Sequence, residues 1–214
     1  MKKLLNVVLA FAFAVAFGVV SYFGADKQSA DKQSTVIETI MSRRSIRHYK
    51  DQPVEREKLM QIARCGIAAP NAMNKQEWAV RIVDSKEWID RCTAAYVPTI
   101  EGTPAGDYLL KPDFRNMFRN AAAVIFVATL PSDYSGVNSG LMGENMMLAA
   151  HELGLGTCCL GMPIPFLNSE QGAEFLASLS LPEGYVLQYA LAVGYADEQP
   201  EAKPRDESKI MFVE

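Results

Sequence analysis

The chain is expected to fold as an α+β domain, with a central sheet flanked by helices. Three observations carry that expectation. Helix-patterned segments come first, and apolar strands interleave with helices only afterwards. Ala121 to Leu130 is an unbroken apolar run, as a strand covered on both faces requires. No Gly-x-Gly-x-x-Gly opens a strand–helix–strand unit. Gly154-Leu155-Gly156 follows a helix, so it is not a dinucleotide fingerprint of the usual type.

Each element has its own signal. Ser34-Thr35 can cap a helix running to about Ser42, with Glu38 in the capping-box position. Gln52-Pro53-Val54 breaks the chain. Leu59, Ile62, Ala63 and Ile67 then recur at helical spacing within Glu55 to Ala69, and Pro70 ends the pattern. Pro70 to Gln76 is a polar loop. Trp78 to Val83 alternates as a strand, with Trp78, Val80 and Ile82 on one face. Lys86 to Ala95 reads as a short helix. Val97 to Pro112 carries Pro, Gly and little periodicity, and is expected to be a mobile surface segment. Ser135 to Leu153 is a long helix with Met142, Met146, Met147 and Leu148, apolar nearly all round. It should be buried in a domain centre or a subunit interface. Gly154 and Gly156 end it. Thr157 to Gly161 continues as a strand or an extended loop. Asn168 to Leu179 reads as a helix, stopped by Pro182 and Gly184, and Tyr185 to Tyr195 as an apolar strand. A polar tail from Asp197 carries Lys203-Pro204-Arg205 and closes on Ile210-Met211-Phe212-Val213.

Ahead of this domain, residues 35–214, lie two further segments. Lys2 and Lys3 precede Leu4 to Phe23, an apolar run broken only by Asn6 and Ser21. Residues 1–24 therefore read as an export signal peptide or a membrane anchor, with attachment through residues 4–23. A buried core helix is the alternative. On either export reading the domain lies beyond the inner membrane of a bacterium, on the periplasmic side, with the lysines left in the cytoplasm. Residues 25–34 repeat Ala-Asp-Lys-Gln-Ser twice and read as a flexible linker.

Composition narrows the chemistry. The 214 residues are 49% hydrophobic, enough for one domain with a real core. The net charge of -4 does not suit a general nucleic-acid binder. The two histidines, His48 and His151, form no zinc-ligand spacing with cysteine, so no metal is expected. The cysteines are Cys65, Cys92, Cys158 and Cys159. A bond between the adjacent pair is strained, and free thiols are favoured, with a Cys65–Cys92 bridge left open.

The basic residues are local. Ser42-Arg43-Arg44-Ser45-Ile46-Arg47 packs three arginines and two serines into six residues. Guanidinium forks match phosphate oxygens, and hydroxyls add short hydrogen bonds. The cluster reads as a phosphate cradle, the alternative being a solvated basic turn. Three later stretches join it: Ala69-Pro70-Asn71-Ala72-Met73-Asn74-Lys75-Gln76-Glu77-Trp78, Gly154-Leu155-Gly156-Thr157-Cys158-Cys159-Leu160-Gly161, and Lys203-Pro204-Arg205.

In this order and spacing the four stretches resemble the FMN-dependent nitroreductase family, over essentially all of Thr35 to Glu214. The resemblance implies an α+β fold with a central mixed sheet, built as an intertwined homodimer with two FMN sites at the interface. It implies that Arg43 and Ser45, with Arg44 beside them, hold the FMN phosphate. Arg47 would stand near the flavin pyrimidine ring, where a cation stabilises negative charge on the reduced ring. Pro70, Asn71, Ala72 and Asn74 would reach the flavin from the partner subunit. Leu160, Gly161 and Met162 would run past the reactive ring edge, and Lys203 and Arg205 would close on the phosphate. The implied activity is two-electron, ping-pong transfer from NADH or NADPH, as co-substrate, to a nitroaromatic, quinone or similar small molecule. No protein acid or base is expected to be catalytic. Departures from the family pattern are Glu77 in place of a usual Pro, Asn71 in place of a common Ser, and Cys158-Cys159 where a large residue is frequent. An exported enzyme would find little reduced nicotinamide. The alternative is therefore a membrane-tethered flavin-binding protein reduced by another partner.

Overall fold

The computed structural model describes residues 36–213. The expected signal or anchor, the linker and the Ser34-Thr35 cap lie outside the described residues. In chain order the elements are α1 (Val36–Ser42), α2 (Arg56–Ile67), β1 (Trp78–Val83), α3 (Lys86–Ile100), α4 (Pro104–Leu109), β2 (Ala123–Thr129), α5 (Ser135–Glu152), β3 (Gly156–Leu160), α6 (Pro163–Leu167), α7 (Ala173–Ser178) and β4 (Val186–Gly194). Short 3-10 turns span Ala72–Asn74 and Glu207–Lys209. Among the described residues no helix is long and apolar enough to cross a membrane.

β2 is the centre, and every one of its residues is buried. Its alternation divides the core in two. Val124, Phe126 and Ala128 face one cluster, while Ala123, Ile125 and Val127 face the other. The four-stranded sheet runs β1-β2-β4-β3, and each neighbouring pair is antiparallel. The sheet is thus antiparallel and not mixed as the family resemblance implied; among the described residues the one parallel pairing is the isolated bridge of Ser45 with Thr157, outside the strands.

The first sheet face is aromatic. Trp88 of α3 stands edge-on to Phe126 at 5.9 Å and to Phe175 at 5.5 Å, between ring centroids. On the second face, Leu59 and Ile62 of α2 meet Met142 and Met146 of α5 over Ile125 and Val127. Full burial of such a side chain contributes about 1.5–3 kcal/mol relative to exposure. A Schellman motif ends α5: Leu155 N–H donates to Ala150 O at 2.8 Å, and Gly154, at φ 75, donates to His151 O at 3.0 Å.

Three sequence expectations are corrected. α3 does not stop at Ala95 but runs through Pro98 to Ile100. Ile89, Cys92, Tyr96 and Ile100 recur at helical spacing and are all buried, so packing outweighs the one N–H that Pro98 lacks. The remainder of Val97 to Pro112 is not structureless: α4 forms there, the Thr103 hydroxyl accepts from Gly106 N–H at 3.2 Å, and Leu109 is buried. The expected Asn168 to Leu179 helix is broken. Asn168 caps α6, and Ser169 makes a turn whose hydroxyl donates to Phe166 O and accepts from Gly172 N–H before α7 begins. α5 is buried on one side only: Val137 and Leu141 are 61% and 43% exposed.

All four cysteines are free. Burial pushes the Cys92 thiol up to about 12, with the Glu174 charge adding to it, and burial is also the main cause of the upward shift of Cys158.

Residues 45–50 lie against β3 and the end of β4. Ile46 N–H donates to Thr157 O at 2.8 Å, Lys50 N–H to Tyr195 O at 2.9 Å, and Asp197 N–H to His48 O at 2.9 Å. A Cβ at Gly156 would lie 2.7 Å from Ile46 Cγ1, so the approach requires glycine there. Gly156→Ala is expected to lower unfolding free energy in urea by about 1–3 kcal/mol; an unchanged midpoint and slope would show that Ile46 yields freely. Alkylation at about pH 8 is expected to spare Cys92 and Cys158 in the folded chain and to reach both after urea is added. Rapid native labelling of Cys92 would mean that the aromatic face opens.

Candidate functional site

Six of the expected site residues line one pocket of about 420 Å³: Arg43, Arg44, Ser45, Arg47, Lys203 and Arg205. They arrive from segments some 150 residues apart. The first four are positioned by the end of α1 and the hydrogen-bonded stretch beside Thr157. The last two belong to the exposed tail after β4.

The pocket is electrically unbalanced. Arg43 Nε pairs with Glu144 Oε1 of α5 at 3.2 Å. The other four cations do not pair with a carboxylate among the described residues. Arg44 donates to the carbonyls of Met41 and Arg43 at 2.7 and 2.8 Å. The Arg47 guanidinium donates to Ser45 O at 3.2 Å, and that of Arg205 to Lys203 O and Pro204 O. Neutral carbonyls orient these side chains without cancelling their charge. Glu144 and Glu201 are the carboxylates of the pocket lining, so its five cations leave it with a net positive charge. A doubly negative phosphate matches such a donor set.

The loop expected to meet this pocket does not do so within the chain. Ala72 N–H donates to Asn138 Oδ1 near the start of α5 at 3.1 Å. Arg43 meets Glu144, and Ser42 shares a 2.9 Å hydrogen bond with His151, further along the same helix. Six to thirteen residues separate these contacts, roughly 9 to 20 Å at the helical rise. Pro70, Asn71, Ala72 and Asn74 therefore stand apart from the arginines. The loop has its own distinctive backbone: Met73, Asn74 and Gln76 are left-handed, at φ 55, 50 and 56. Asn71 Oδ1 holds the turn by accepting from Gln76 N–H at 2.9 Å. Left-handed non-glycine residues gathered this closely mark a functional candidate. Glu77, the departure noted above, lies 3.8 Å from Lys75.

Leu160, Gly161 and Met162 sit where β3 ends and α6 begins. Leu160 is buried and Gly161 is exposed. A Cβ on Gly161 would meet nothing within 4 Å, so the space above this backbone is open within the chain.

The sequence reading missed two carboxylates. Glu144 is the partner of Arg43. Glu198 accepts from the backbone N–H groups of Arg47 and His48, the latter at 3.1 Å, and so fixes the arginine stretch to the tail. Glu144 carries a signal: it is the one charged residue in the middle of α5, and a carboxylate on a largely apolar helix favours a cationic neighbour. Its other acid, Glu152, accepts from Thr39. Glu198 carries no comparable signal. His48, whose Nδ1 lies 3.6 Å from Asp113, is exposed and outside the pocket.

Known proteins resemble this chain in sequence and in fold. The Nitroreductase family profile matches residues 40–195. A NADPH-flavin oxidoreductase of Vibrio harveyi is 28% identical over 188 residues, covering 80% of this chain and 70% of that protein. An FMN reductase [NAD(P)H] of Bacillus subtilis is 28% identical over 184 residues, covering 79% and 69%. The crystal structure of a nitroreductase with bound FMN from Desulfitobacterium hafniense superposes with a TM-score of 0.74 at 29% identity, covering 84% of this chain and 98% of that one. With the profile spanning most of the described domain, the chain belongs to the Nitroreductase family.

Proposed function

We propose that the chain is an FMN-dependent oxidoreductase that transfers two electrons, in ping-pong order, from NADH or NADPH to a nitroaromatic, quinone or similar small acceptor. The observation that carries the reading is the positively charged pocket formed by Arg43, Arg44, Ser45, Arg47, Lys203 and Arg205. FMN, when bound, supplies the hydride chemistry. The residues of the chain supply position and charge. Arg43, Arg44, Lys203 and Arg205 would hold the phosphate, with the Ser45 hydroxyl as a further donor. Arg47, at the pocket wall, would place a cation toward the ring. Leu160, Gly161 and Met162 would offer backbone to the ring across the open space at Gly161.

A homodimer fits the same surfaces. Pro70, Asn71, Ala72 and Asn74 are not part of the lining of the arginine pocket of their own chain, and a second copy would supply them. Apolar side chains stand exposed on α1 and α5 and in the tail, among them Val36, Met41, Val137 and Phe212. Such surface is what an obligate partner covers. The apolar segment 4–23 supports export or anchoring on the periplasmic side. It also favours a second reading, in which a membrane partner replaces the nicotinamide donor.

Arg43→Ala is expected to weaken FMN binding by about 1.5–3 kcal/mol, roughly ten- to a hundredfold in Kd. Part of that loss should return in the Arg43→Ala, Glu144→Gln double variant, because the unpaired Glu144 charge would otherwise repel phosphate. Unchanged flavin affinity in the single variant would show that the phosphate binds elsewhere. Anaerobic NADH should bleach the flavin absorption of the purified protein. Flavin that binds but stays oxidised with both NADH and NADPH would reject the nicotinamide donor and favour the membrane partner.

A further inference from the structure

A second basic cavity, of about 260 Å³, opens on the other side of Arg47. Its wall includes Arg47, His48, Lys111, Arg119, Tyr108 and Phe114. Asp113 is its one carboxylate, and that group lies 3.6 Å from His48. Three permanent cations therefore face a cavity with a single acid.

Arg119 is the unusual member. Its Nε is enclosed and has no acceptor among the described residues, and no carboxylate pairs with its guanidinium. Its flat face stacks on Tyr108, 4.7 Å from the ring centroid. A buried, unsatisfied guanidinium donor is costly, and native folds seldom leave one. The backbone adds a second cost, since Arg119 is left-handed at φ 61 and Asn120 at φ 64. Two asparagines hold that conformation. Asn120 Oδ1 accepts from the N–H groups of Arg115 and Asn116, at 2.7 and 3.0 Å. Asn116 Oδ1 accepts in return from Phe118 and Asn120, at 3.0 and 3.1 Å. The turn thus fixes an unpaired cation at the wall of the cavity.

We propose that this cavity binds a small aromatic acid. Its carboxylate is held by Arg119, Lys111 and Arg47, and its ring lies against Tyr108 and Phe114. The cavity is smaller than a typical drug-sized site, which suits a fragment of one or two rings. A bidentate carboxylate satisfies guanidinium donors in the geometry they prefer. As a binding site the cavity stands alone. As the seat of the electron acceptor it rests on the flavin reading above, and it then narrows the acceptor to anionic nitroaromatics or quinones.

Calorimetric titration of the purified full chain with benzoate and with its neutral isostere benzamide tests the site. Benzoate is expected to bind at least about tenfold more tightly. Arg119→Gln should remove that preference, and Lys111→Gln, a change at an exposed position, should reduce it several-fold. Equal binding of the two probes overturns the proposal, as does a folded Lys111→Gln variant with undiminished preference or no benzoate binding at millimolar concentration. Turnover of 4-nitrobenzoate against 4-nitrobenzamide tests the substrate assignment. A lower KM for the acid that is lost in Lys111→Gln supports it, and equal KM values refute it. Benzoate binding by a protein that retains no flavin would keep the site and discard the proposed function alone.

Discussion

The close seating of residues 45–50 against the sheet is the constraint on which the site depends. Ile46 and Lys50 donate to Thr157 and Tyr195, and Asp197 returns a bond to His48. Two glycines make room for this. Gly156 lies under Ile46, and a Cβ at Gly194 would lie 2.8 Å from the ring of Tyr49. Tyr49 is buried, and its hydroxyl donates to Ile46 O at 2.7 Å. Burial raises the Tyr49 hydroxyl well above its ordinary range, so it remains a neutral donor. With Ile46 and Tyr49 turned into the core, Ser45 and Arg47 are carried to the outer side. The two inward anchors, three residues apart, thus leave the donors between and before them on the outer side.

Charge is organised by contrast. The chain as a whole is acidic, at -4, yet both cavities beside Arg47 are basic. At physiological salt, fields reach about 8 Å, so the distant acidic surface does little to cancel a local cluster. Carboxylates near the cluster serve as guides. Glu144 orients Arg43, and Glu198 is spent on backbone N–H groups rather than on the Arg47 guanidinium. An anion is attracted by what these contacts leave uncancelled.

The sequence was most legible where one force acted alone. β2 announces itself because burial on both faces leaves Ala123 to Ala128 wholly apolar, and α5 because its apolar content exceeds what a surface helix carries. The legibility failed where two forces competed. Pro98 looks like a stop, but the buried Tyr96 and Ile100 carry the helix past it. Asn168 looks like a start, but the Ser169 turn makes it an end. In the site, the arginine and lysine types were legible as a group, and the fold brings Arg43, Arg44, Arg47, Lys203 and Arg205 to one pocket. Which carboxylates guide them was not readable for Glu198, because that pairing is set by a contact across 150 residues of chain. Arg119 was silent for the same reason: the fold, not the local pattern, leaves it unpaired.

The bridge between Ser45 and Thr157 has a consequence beyond ligand geometry. β3 is the outermost strand on its side, and it pairs with β4 along one flank only. An uncovered flank is a template on which another extended chain can polymerise. Ser45 and Ile46 lie along that flank and occupy Thr157. The segment that presents the arginines is therefore also the guard of the sheet edge. A substitution that loosens it endangers solubility as well as cofactor retention, which ties two selective pressures to one short stretch of chain.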